Sequence, residues 1–383
     1  MKNNFNLIQY KMDSRFSIKH NYLKEQFNKP SKEILIKIKK LISNGDYTLG
    51  KEVEKLENNF KKKINAKYAI GVGSGTDAIF LSLIALNIGK GDEVIAPSYT
   101  FHATIGAIAT TGAKPIFAEI GSDLNISPSD IEKKITKNTK AIVPVHWTGR
   151  PCNMNAIKKI AKKYDLKIIE DACHAYLSKY DNNFCGNFGD FGCFSFHPLK
   201  NLNVWGDGGI VITNKKKYMD KIRLLRNHGL KSRNNCELYA YNSRLDTIQA
   251  IVANVMLKKI SYITNSRIYN SLYLDQSLKG LPEVELIPRS KNLKEVFHLY
   301  IIKVKNRNKL HKYLNSKSID SKIHYPIPMH LQKASRKFGY KKGDLPYTEL
   351  IVKSIISLPV HEFIGKKDLD KMISTIKSFY KKN

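Results

Sequence analysis

The chain changes its hydrophobic rhythm along its length. Residues 1 to about 45 are polar and helix-prone, closing on the run 32–41, whose apolar positions suit a packed helix. From about 68 to 250, short β-branched runs alternate with helical ones: 68–71, 94–96, 115–117, 141–145, 167–170, 191–196 and 209–213. Seven strand candidates with helices between them predict a mostly parallel α/β sheet. Ser127, Pro128 and Asp130 form a helix-start signal ahead of 131–135, with a cap residue, a first-turn proline and an acid at the third position. Ile157, Ile160 and Ala161 give the apolar face of another helix. After about 255 the strands thin out, and 297–304 with its flanking helices reads as a small α+β unit. The expected organisation is an arm over 1–45, a large α/β domain over 46–255 and a small C-terminal domain over 256–383.

Composition narrows the class. At 383 residues, with 42% hydrophobic and 10% aromatic content, the chain is globular and can bury a sizeable core. Its formal charge of +32 reads either as a lysine-rich solvated surface or as attraction to a polyanion. The basic residues recur in short groups such as 61–63 and 215–217 rather than in one block, and no nucleic-acid-binding motif is present, which favours the solvated surface. Five cysteines, an odd number without paired CxxC spacing, fit a reduced cytoplasmic enzyme with no metal site. No signal-peptide core and no run of 18 apolar residues occurs, so no membrane insertion is expected.

Three stretches carry candidate chemistry. The segment VGSGTD at 72–77 follows a strand and precedes a helix, so its N–H groups and hydroxyls sit at a positive helix end, suited to a phosphate. A glycine turn with a capping Ser or Thr explains it equally well. Asp171 stands at the carboxyl end of an apolar strand, where open α/β sheets bind ligands; facing a pyridine nitrogen, it would keep that nitrogen protonated. Its alternative is a helix cap. Lys200 stands between a β-like run and the glycine-rich turn at Gly206, Gly208 and Gly209. A lysine there can condense with an aldehyde cofactor if desolvation lowers its pKa; otherwise it is a surface lysine. An anion cradle, then a strand-end acid, then a strand-end lysine is the order of parts in a pyridoxal phosphate enzyme of the aspartate aminotransferase-like fold, fold type I.

With these parts in place, the chain resembles the DegT/DnrJ/StrS family of PLP-dependent sugar aminotransferases from about residue 20 to its C-terminus. The likeness rests on YTLGKEV at 47–53, GSGTD at 73–77, GDEVIAPSYTF at 91–101, VPVHWTG at 143–149, EDACH at 170–174, the run 194–209, RNHG at 226–229, YNSRLD at 241–246 and HYPIP at 324–328. The resemblance implies Lys200 as the Schiff-base lysine, Asp171 as partner of the pyridine nitrogen and Phe101 as the stacking ring. It implies that Gly75, Thr76 and Ser195 hold the phosphate of pyridoxal 5'-phosphate, joined by Asn242 from the neighbouring subunit of a homodimer. His174 is placed near the cofactor's phenolic oxygen, in either charge state. Arg226 and His228 would bind an anionic substrate or order a loop. His324 and Tyr325 would contact a nucleotide-linked sugar or form a turn before Pro326. Some members carry histidine in place of the lysine and act as dehydratases; Lys200 argues against that branch.

The implied activity is amino transfer from an amino acid, expected to be L-glutamate, to a keto group of a dTDP-, UDP- or GDP-linked deoxysugar at C3 or C4, for polysaccharide or glycoconjugate synthesis. A different PLP-dependent reaction and a non-catalytic regulatory role are the alternatives. His298, inside an apolar run, reads as a satisfied core residue.

Overall fold

The seven β-branched runs hydrogen-bond into one sheet. In the computed structural model, which describes residues 15–381, the strands are β1 (Tyr68–Val72), β2 (Glu93–Pro97), β3 (Lys114–Ala118), β4 (Thr139–Ile142), β5 (Lys167–Asp171), β6 (Phe191–Ser195) and β7 (Gly209–Thr213), in the order β1-β7-β6-β5-β4-β2-β3. Only β7 runs antiparallel to its neighbours. The β4 ladder stops at Ile142, before Pro144, which has no N–H to donate, although the apolar run continues to Val145. Val145 rejoins through one bridge to Asp171.

Both sheet faces are covered, so its strands read as continuous apolar runs rather than alternating ones. Val72, Val94, Phe117, Ile169 and Val211 pack with α3 (Gly75–Ala85) and α4 (His102–Thr110) on one side. Phe194, Ile210 and Ile212 meet α2 (Lys51–Lys63) through Leu56 and Phe60 on the other, beside α1 (Pro30–Asn44). Phe60 is fully buried against Tyr176, Phe194 and Phe196, and truncating it to alanine is expected to cost about 3–5 kcal/mol. The expected packed helix at 32–41 exists within α1. Ile34 and Leu41 are buried, but Leu35, Ile36 and Ile42 are 56%, 64% and 61% exposed.

The helix signalled at 127–130, α5, spans Pro128–Lys134, and the apolar face of Ile157, Ile160 and Ala161 lies on α6 (Met154–Lys163); the α5 cap works differently from the expectation. Ser127 makes no capping bond through its side chain, and Asp130 accepts instead from the backbone N–H of Glu119, tying the helix to the exit of β3. In the C-terminal part, α7 (Ile260–Leu278), a three-stranded antiparallel sheet of β8 (Val284–Leu286), β9 (Tyr300–Val304) and β10 (Ile355–Leu358), and α8 (Lys366–Lys381) enclose a separate core around Leu274, Tyr300, Leu310 and Ile376. The segment before α1 packs here: Ile18 bridges Ile319, and His20 N–H donates to Asp320. Residues 15–22 therefore lie against the C-terminal unit and reach the mouth of the site.

Candidate active site

The site forms where the carboxyl ends of β5 and β6 face the N-terminus of α3. Ser74 caps that helix by accepting from Asp77 N–H at 3.0 Å, which leaves other first-turn N–H groups facing the cavity. A Cβ at Gly75 would lie 2.7 Å from Ser195 Cβ and 2.9 Å from Cys173 Sγ; one at Gly209 would lie 2.3 Å from the Ser74 carbonyl oxygen. The glycines of the motif are thus required by close approach of the two strand ends to the helix start. The capping and cradle readings describe one structure, since Ser74 caps while Gly75, Thr76 and Ser195 line the cavity.

Asp171 ends β5 and is buried. Thr104 Oγ1 donates to its Oδ2 at 2.7 Å and Cys173 N–H donates to its Oδ1 at 3.2 Å. No helix begins after it, so its bond to Cys173 closes a turn and the helix-cap alternative falls away. Lys200 follows β6 in a turn closed by its own N–H to His197 O at 2.8 Å. Desolvation lowers its pKa, opposed by Cys173 and Asp171. The amine is in a cavity wall, not on a solvated face.

That cavity, about 570 Å3, joins the cradle to the C-terminal unit. His174 is buried in its wall, 4.1 Å from the His298 ring and 4.9 Å from Trp147, and its Nδ1 has no partner among the described residues. Burial, with the charges of Lys200 and His324, holds its pKa well below the usual imidazole value, so it is neutral. Phe101, directly before α4, remains 41% exposed, with its ring 5.5 Å from Tyr325. His324 bonds Ser357 Oγ through Nδ1 at 2.8 Å, and burial and neighbouring lysines lower its pKa to about 4.

Several expectations are corrected or sharpened. His298 is not a satisfied core residue: it lines the cavity and its buried Nδ1 lacks a partner. Phe297, outside the strand that begins at Tyr300, adopts φ +45°, so the backbone leading to His298 does not follow strand geometry. Arg226 does not reach the cavity; it donates to Glu57 at 2.6 Å and to Gly71 O at 2.7 Å, the loop-ordering alternative. His228 is exposed outside the cavity wall with φ +55°. Asn242 is also exposed, bridged through its backbone to Asn227, and does not line this chain's cavity. The sequence reading missed Thr104, Trp147, His20, Tyr22, Arg267 and His361 as cavity residues. Trp147 lay within a recognised motif, but nothing in the sequence joined Tyr22 to Arg267.

The sequence profile of the DegT/DnrJ/EryC1/StrS aminotransferase family matches residues 28–377. The chain belongs to this family. A relative from Geobacillus stearothermophilus, named pleiotropic regulatory protein, is 36% identical over 94% of this chain and 97% of its own length. The dTDP-3-amino-3,4,6-trideoxy-alpha-D-glucose transaminase of Streptomyces venezuelae is 34% identical over 89% of this chain and 90% of its own length. Among solved structures, ntda from Bacillus subtilis, with bound cofactor pmp, superimposes with a TM-score of 0.87 at 28% identity, covering 97% of this chain and 89% of that one. The aspartate aminotransferase-like fold expected from the order of cradle, acid and lysine is the fold of the family. Among the described residues no helix is long and apolar enough to cross a membrane, and no group of three or more His, Cys, Asp or Glu could hold a metal ion.

Proposed function

We propose that this family member is a PLP-dependent transaminase that moves an amino group from an amino acid, L-glutamate being the expected donor, to the keto group of a nucleotide-linked deoxysugar. The observation that carries the reading is the convergence of a desolvated Lys200 amine, a buried Asp171 and the tight cradle at Gly75 around one cavity. The residues present fit pyridoxal phosphate. First-turn N–H groups of α3, with Thr76 and Ser195, would hold the phosphate, and Asp171 would face the pyridine nitrogen. Phe101 would stack, and the neutral His174, with its unpartnered Nδ1, would meet the phenolic oxygen.

When bound, the cofactor supplies an electron sink for the bonds broken at the substrate carbon. The protein's part is to place and move protons. Lys200, whose neutral form is favoured by desolvation, takes a proton from the substrate carbon and returns it on the other side of the transfer. Thr104 fixes the orientation of the Asp171 carboxylate, and the buried walls from Trp147 and His174 limit water access.

The proposed assembly is a homodimer with shared sites. Exposed Leu35, Ile36 and Ile42 on α1, together with Tyr241 beside Asn242, supply an apolar surface for a second copy. Five cysteines without disulfides fit a reducing, cytoplasmic setting. A nucleotide-sugar substrate is supported by the S. venezuelae relative, which is named as a transaminase of a dTDP-linked 3-amino sugar. The name of the G. stearothermophilus relative favours a regulatory second reading, against which the intact Lys200 site stands. The test is to convert the protein to its pyridoxamine form and offer a panel of nucleotide keto sugars. Return of the pyridoxal-form absorbance with one of them identifies the acceptor; no response to any keto sugar, with no conversion by amino acids, contradicts the reading.

A further inference from the structure

Four cations lie in the cavity wall: Lys19, Lys200, Arg267 and Lys322. Lys19 pairs with Glu25 at 3.7 Å and Lys322 with Asp320 at 2.6 Å. Lys200 and Arg267 have no ion-pair partner among the described residues. Proposed cofactor chemistry accounts for Lys200. Arg267 has no such account.

Arg267 rises from α7 and is only 3% exposed. Nη1 donates to the carbonyls of Phe297 at 3.2 Å and His298 at 3.3 Å, and Nη2 donates to Tyr22 Oη, whose ring lies 5.2 Å beneath the guanidinium carbon. All these partners are neutral, and Nε has none among the described residues. Beside it, His20 has a buried Nδ1 without a partner among the described residues, and His361 stacks on Tyr22 at 4.3 Å. Burial, with the charge of Arg267, favours the neutral forms of His20 and His361, so neither adds a second positive charge beside the guanidinium. A buried cation with no ion-pair partner among the described residues is costly, and unsatisfied donors compound that cost. An anion reaching them from the adjoining cavity would relieve both.

We propose that Arg267, framed by Tyr22 and His20, receives a carboxylate of the amino donor. This inference rests on the transaminase reading and adds its donor subsite. A carboxylate suits the lobe better than a diphosphate. One largely occupied guanidinium and one orphaned imidazole nitrogen match two oxygens, and the other two lysines already hold carboxylates. The subsite is assembled from α7 and from the segment before α1, far apart in sequence, with Ile18 bridged to Ile319 and His20 N–H donating to Asp320.

The test is single-turnover kinetics of each half-reaction separately, following cofactor absorbance. In R267Q the apparent Kd for L-glutamate should rise about ten- to hundredfold, while that for the accepted keto sugar and the starting absorbance stay unchanged. L-Alanine, with only the α-carboxylate, and 4-aminobutyrate, with only the distal one, report which carboxylate is held: the variant loses discrimination only for the donor that uses Arg267. Should R267Q not fold, Y22F retains the ring and the cation and is expected to shift the L-glutamate Kd alone. An unchanged L-glutamate Kd in the folded variant, or equal losses in both half-reactions, overturns the assignment. Failure of the unaltered protein to react with any amino acid would instead overturn the transaminase reading.

Discussion

Thr104 Oγ1 donates a 2.7 Å hydrogen bond to Asp171 Oδ2, joining the first turn of α4 to the end of β5 inside a buried pocket. This bond leaves the carboxylate one fixed orientation, since its other oxygen is held by Cys173 N–H. A hydrogen bond to a charged group contributes about 1.5–3 kcal/mol. T104V is therefore expected to lower kcat by about tenfold or more while leaving the thermal midpoint within a few degrees. Steady-state rates and a melting curve on the same sample check it; an unchanged kcat would show that Asp171 needs no such restraint.

Gly75 stands where backbone and strand ends meet. A methyl group there would lie 2.7 Å from Ser195 Cβ, which belongs to a strand end rather than to a flexible tip. G75A should destabilise the fold by about 1–3 kcal/mol and weaken cofactor retention. Denaturant midpoints and absorbance after dialysis test both effects, and full retention of cofactor would remove Gly75 from the cradle.

Arg226 and Glu57 form a buried pair at 2.6 Å between α2 and the end of the helix Lys216–Leu225. R226A leaves the Glu57 carboxylate without its counter-charge, at a cost of about 3–5 kcal/mol. Chemical unfolding should show that loss. If stability were unchanged and only the substrate Kd rose, Arg226 would be a binding residue instead.

Acid should destabilise the folded chain through its buried imidazoles. His324 is lowered from 6.5 to about 4 and His361 from 6.5 to about 3, both chiefly by burial. Between those values the unfolded chain binds more protons than the folded one. Stability therefore falls as pH drops from about 6.5 toward 4 and 3, and neither group contributes above that window. Denaturant midpoints at pH 7, 5.5 and 4.5 should decline, and H361Q should decline less steeply. Equal slopes in both proteins would contradict the assignment to His361.

The sheet was legible because each parallel strand, covered on both faces, is a short apolar run bounded by helical segments; β5, with Ile168 in one core and Ile169 in the other, shows this most plainly. Lys200, Asp171 and the glycine cradle were legible because they stand at strand ends, where chain direction already implies a cleft. His298 was not, since its apolar neighbours mimic a core strand, whereas the strand begins only at Tyr300 and Phe297 before it has a positive φ. Nor was the Tyr22–Arg267 contact, which exists only once the segment before α1 crosses to the C-terminal unit. Local pattern carries strands and their ends; it does not carry contacts made by tertiary crossing.

The central claim is that the Lys200 amine is the group that engages the cofactor aldehyde. Purified protein loaded with pyridoxal phosphate, reduced with borohydride, digested and analysed by mass spectrometry should carry the pyridoxyl mass on Lys200, and K200A should lose both that label and turnover. A label on another lysine, or an unmodified Lys200 in protein that still transaminates, would contradict the account.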